Sequence, residues 1–122
     1  MRFSFSIDDF HRLVCQFEDG ETSTTAESSD VAAGLEALSE ALDDLRENGF
    51  GECFWFTSAG EYRWVLRRHE LELVRLAVLW CGSVAVGFQH VLWHEMPMAE
   101  LTANLHSELA RMAAATASQR NG

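Results

Sequence analysis

His90 and His94 stand four apart in the run His-Val-Leu-Trp-His-Glu, with Glu95 adjoining. On a helix that spacing would put both imidazoles on one face, where they and a carboxylate suit zinc. On a strand they share a face but lie about 13 Å apart, at roughly 3.3 Å per residue, too far for one ion. The residue order also departs from the His-Glu-x-x-His zinc signature. The segment reads as strand, so neither a metal site nor a cofactor is expected. His11, His69 and His106 are scattered. Cys15, Cys53 and Cys81 are odd in number and form no Cys-x-x-Cys pair. They fit buried free thiols in a reducing compartment, not a complete disulfide framework or a zinc pattern. Cys81 with His90 or His94 is the one Cys–His pair that a hairpin could bring together, and nothing in the sequence orients it.

Absent residue types narrow the chemistry further. All nine basic residues are arginine. Without lysine there is no P-loop lysine and no Schiff base. No Gly-rich phosphate loop or nucleophile elbow is present. The chain is therefore expected not to be an enzyme.

Charge is the stronger signal. The formal net charge is −10. Residues 1–52 hold thirteen carboxylates against three arginines, and residues 53–122 hold six of each. The whole excess lies in the first part. Phosphate repulsion then disfavours direct nucleic-acid binding, and a basic protein partner is favoured. No apolar run approaches the ~20 residues that span a bilayer. The start, MRFSFSIDDF, lacks the apolar core of a secretory signal. A cytoplasmic protein with no membrane contact is expected.

These residues need elements to position them. At 122 residues one domain is expected, 1–122, made of an acidic helical part (1–49), a β-meander (50–95) and a C-terminal helix (97–116). Residues 2–6 alternate, which allows a short N-terminal edge strand. Ser6-Ile7-Asp8-Asp9 resembles a capping box, and Ile7, Phe10, Val14 and Phe17 recur at spacings of three and four. They predict a helix over 7–17, with a strand over 11–17 as the alternative. Residues 18–29 contain no large apolar side chain and read as an exposed loop. Val31, Leu35, Leu38, Leu42 and Leu45 predict a helix over 30–48, ended by Asn48-Gly49.

Strands are expected over 52–57, 62–68, 71–80 and 84–94. The third could instead be helical, since Leu71, Val74 and Val78 also fit a 3.6 period. Pro97 suits the first turn of a last helix carrying Met98, Leu101, Leu105, Leu109 and Met112. The fold class is thus α+β: a four-stranded antiparallel meander packed by two N-terminal helices and one C-terminal helix. Three helices can cover one face of that sheet. The other face would then carry tryptophan, leucine and arginine outward, as a partner or dimer surface. The alternative is that helices or sheet twist cover both faces.

In size, charge and lack of catalytic residues the chain is similar to the small acidic immunity proteins that bacteria encode beside toxins. The likeness implies a stoichiometric inhibitor that occludes the basic cleft of a toxin or effector. Glu18, Asp19, Glu21, Glu27, Asp30, Glu36, Glu40, Asp43, Asp44 and Glu47 would meet that partner, with Tyr62 and Trp64 as aromatic anchors. Two other readings remain: a phage- or plasmid-borne inhibitor that mimics nucleic acid through the same acids, and a homodimeric small-molecule-binding or structural domain joined through the second sheet face.

Overall fold

The computed structural model describes residues 1–121, with side chains to residue 117. In chain order the elements are β1 (Arg2–Ile7), β2 (Leu13–Asp19), β3 (Thr22–Ser28), α1 (Val31–Asn48), β4 (Phe50–Phe56), β5 (Glu61–His69), β6 (Leu73–Cys81), β7 (Gln89–Pro97) and α2 (Met98–Asn121). They build two antiparallel sheets, β1-β2-β3 and β4-β5-β6-β7. The class is α+β, but only one helix precedes the meander. The two expected N-terminal helices are corrected to one, and the residues of the other belong to a three-stranded sheet.

The reason lies in the turn after β1. Asp8 does not cap a helix. Its carboxylate accepts the backbone N–H of Phe10 (3.0 Å) and of Arg12 (2.9 Å), closing a reversal in which His11 takes φ +60°. Phe10, which completed the helical spacing, is left 77% exposed. Past the turn the period is two: Leu13, Cys15 and Phe17 are buried and face the core. Residues 22–28 lack the apolar content of an autonomous strand, yet they pair with β2 from Leu13↔Ser28 to Asp19↔Thr22. Only Ala26 and Ser28 of this strand are buried. Ser28 lies close to α1, where a Cβ added at Gly34 would meet its hydroxyl at 2.8 Å.

Helix α1 begins at Asp30, whose side chain accepts from the Ala33 N–H, and stops at Gly49 in the left-handed region, φ +80°. Leu38, Leu42 and Leu45 enter the core. Its backbone lies almost against β4. A Cβ at Gly51 would sit 1.9 Å from the Ala41 carbonyl oxygen, so only glycine permits the contact. Trp55 fastens the same pair, donating from Nε1 to the Gly34 carbonyl at 3.0 Å.

The two sheets meet through aromatic rings. Phe5 lies edge-on to Trp55 with centroids 6.1 Å apart, Trp55 to Trp64 is 4.9 Å, and Phe17 to Trp64 is 5.2 Å. Helix α2 closes the core with Leu101, Leu105 and Met112. It also covers the free edge of β1. Asn104 accepts the Phe3 N–H at 3.1 Å, Glu108 accepts the Phe5 N–H at 2.9 Å, and Arg111 donates to the Phe5 carbonyl. Side chains one helical turn apart replace the missing strand. Pro97 ends β7, where a first helical turn was expected. No described helix is long and apolar enough to cross a membrane.

Candidate protein-interaction surfaces

The predicted contact residues do not form one surface. The outward face of α1 carries Glu36, Glu40, Asp43, Asp44 and Glu47, all exposed. Among the described residues none of the five enters an ion pair. Arg46, the cation on this helix, turns to the other helix and meets His106 Nε2 at 2.9 Å. A shallow cleft of about 360 Å³ lies between Asp43, Arg46 and Glu47. Asp30 is engaged as the helix cap.

The β2–β3 hairpin holds the second group. Glu18 and Glu21 are exposed, while Asp19 lies 3.4 Å from His94 Nδ1 on β7. Glu27 is apart from both groups, 3.5 Å from the Arg12 guanidinium. The aromatic anchors divide. Tyr62 is half-buried against Trp80, centroids 4.6 Å apart. Burial, and secondarily the charge of Glu27, raise its phenol above the usual range. Trp64 is fully buried between Phe17 and Trp55. It belongs to the core and reaches no partner.

The second surface is the outer face of the four-stranded sheet. Every fully buried side chain of β4 to β7 lies on the inner face: Cys53, Trp55, Trp64, Leu66, Val74, Leu76, Val78 and Met96. The outward residues are all partly or fully exposed. Across the middle strands they include Arg63, Val65 and Arg67 on β5 and Arg75, Ala77 and Leu79 on β6. On β4, Phe54 and Phe56 stack with centroids 6.3 Å apart and reach toward Ala33 and Ala37 of α1. On β7, Trp93 is 58% exposed. The buried side chains of both helices join the core on the inner face, and the outer face is bordered by α1 beside Phe54 and Phe56. At its end, residues 82–88 form turns where the start of a strand was expected, with Val84 96% exposed. Strand alternation sets Phe54 and Phe56 opposite Cys53 and Trp55, but it does not say which side the core takes, and the bulge in β7 breaks the alternation between Val91 and Trp93.

The residues with chemical potential are kept apart. The pairing Leu79↔His90 followed by Val78↔Leu92 marks a bulge in β7. Val91 and Leu92 both pack on the core, and His90 is turned to the outer face while His94 is inward. The two histidines therefore do not share a face, as a regular strand would have them do. Burial, with the Glu52 charge adding to it, pushes the Cys53 thiol up to about 12. Burial raises Cys15 too, so neither is a thiolate near neutral pH. Cys81 points its Sγ to the Ser83 carbonyl at 3.4 Å. Among the described residues no three His, Cys, Asp or Glu side chains converge as metal ligands. No known family model, curated protein or solved structure matches the chain.

Proposed function

We propose that this chain is a non-catalytic acidic binding protein that occludes a basic surface of a partner protein, in the manner of an immunity protein neutralising a bacterial toxin. The observation that carries this reading is the α1 face, with five exposed carboxylates and no ion pair among the described residues. A face built for solubility usually interleaves both signs. Here Glu36 and Glu40, Glu40 and Asp44, and Asp43 and Glu47 are like charges four residues apart, which costs the helix stability. A basic surface would offset that repulsion on binding. The same field would speed encounter in a salt-dependent way.

The test is calorimetric titration of the chain with the product of the adjacent gene, at low and high salt. Tight binding that weakens with salt, and weakens further when Asp43, Asp44 and Glu47 are reversed to arginine, supports the reading. Affinity indifferent to both changes would sink it, as would no binding.

A further inference from the structure

A different surface, the outer face of the four-stranded sheet, carries a second and independent inference. Three carboxylates (Glu52, Glu61, Glu95) and three guanidiniums (Arg63, Arg67, Arg75) lie on it. It is electrically balanced on a chain of net charge −10. Two copies of such a chain repel one another almost everywhere, but not here.

The pairing within the face is more specific than its sum. Arg63 binds Glu52, and Arg75 binds Glu95 at 3.1 Å. Glu61 and Arg67 remain, and neither has an ionic partner among the described residues. Arg67 rests over the Phe50 ring, 5.3 Å from its centroid. Both project outward from β5, three residues to either side of Trp64. A two-fold axis lying in the plane of contact, perpendicular to the strands and passing over β5 at the level of Trp64, turns the strand end for end. It sets Glu61 of each copy opposite Arg67 of the other. The arrangement is self-complementary, as an isologous interface requires.

The same axis brings the Leu79 row of one copy over the Val65–Ala77 row of the other. Sheets stacked this way lie about 10 Å apart. Four strands about 4.8 Å apart and some eight residues long give a face of roughly 19 Å by 26 Å. That projected area, about 500 Å², lies below the ~800 Å² that a standard interface buries per partner, and side-chain relief raises the buried area toward it. Trp93 adds an exposed aromatic of the kind that anchors such contacts. A basic partner finds no net attraction on a balanced face, and a polyanion is repelled by the rest of the chain.

We infer that the chain forms a two-fold dimer through the outer face of its four-stranded sheet, with Glu61 and Arg67 paired reciprocally between copies. The dimer leaves the acidic face of α1 open.

Sedimentation equilibrium of the full chain, from micromolar to millimolar, tests this with four variants. Trp93→Asp is expected to give monomer. Glu61→Arg and Arg67→Glu, each setting like charges opposite one another twice, are expected to weaken the dimer about tenfold or more. Glu61→Arg combined with Arg67→Glu restores opposite charges and is expected to recover most of the affinity. All three positions are on the exposed side of the sheet, and far-UV circular dichroism confirms folding. A wild-type chain that stays monomeric at millimolar concentration overturns the inference. So does a double variant no tighter than the singles, or a dimer that Trp93→Asp leaves intact. No binding partner is present in this experiment, so its outcome is separate from that of the titration.

Discussion

The two helices use their polar sides differently. Both place leucines in the core, Leu38, Leu42 and Leu45 from α1 and Leu101 and Leu105 from α2. On α2 the flanking polar residues are consumed by the fold. Asn104, Glu108 and Arg111 hold the backbone of β1, and Glu108 and Arg111 also pair with each other at 2.7 Å. On α1 the polar side carries like charges that enter no ion pair among the described residues. Charge that stabilises an element is explained by that element. Charge that opposes it needs an explanation outside the chain, and this difference separates a structural flank from a candidate contact face.

The contrast can be tested from both sides. The largest effect is expected where α1 meets β4. Gly51→Ala forces the Cβ into the Ala41 carbonyl, and the helix must move away. A loss of at least about 3 kcal/mol, read by urea denaturation, is expected from such overpacking against backbone. Next comes the structural flank of α2. Glu108→Ala strips the partner from the Phe5 N–H and should cost about 2 kcal/mol, as for a hydrogen bond to a charged group.

That contribution also carries a pH signature. The Arg111 hydrogen bond, with help from the Phe5 N–H, holds the Glu108 carboxyl below the usual carboxylate range. Its stabilisation is present above the unfolded value of about 4.3 and is lost as pH falls through the lower folded value. The wild type should therefore lose more stability than Glu108→Ala between neutral and strongly acid pH. A smaller loss, about 1 kcal/mol, is expected for Asp30→Ala at the cap of α1.

The smallest effect has the opposite sign. Glu40→Arg replaces repulsion with Glu36 and Asp44 by attraction, and should raise stability by about 0.5 kcal/mol. Partner affinity should fall in the same variant. A charge reversal on α1 that destabilised the chain would remove the contrast between the helices.

Much of the architecture could be read from residue order. The leucine period of 31–48 and the Gly49 stop gave α1, and period-two runs with short turns gave the meander. What could not be read depends on contacts far along the chain. Residues 11–17 allow both helix and strand, and the closure of the turn by Asp8 with the β1 and β3 ladders selects strand for 13–17. Thr22–Ser28 has no strong hydrophobic signal, because it is held by its ladder with β2. The separation of His90 from His94 depends on one extra residue in β7. Of the candidate contact residues, the acids of α1 were found by charge and lie together. Trp64 is of a residue type common at interfaces, but the β4–β5 register sets it beside Trp55 in the core.

The clasp between α2 and β1 joins residues 101 to 106 positions apart. On the ribosome, β1 emerges long before the helix that shields it. Strands β1 to β3 can pair early through local hairpins, yet the edge carrying Phe3 and Phe5 stays open until α2 is made. During that interval each nascent chain presents an unguarded template for strand addition by its neighbours. Crowding of nascent chains would therefore favour strand addition at this edge, and a chaperone that holds β1 would help most before α2 appears.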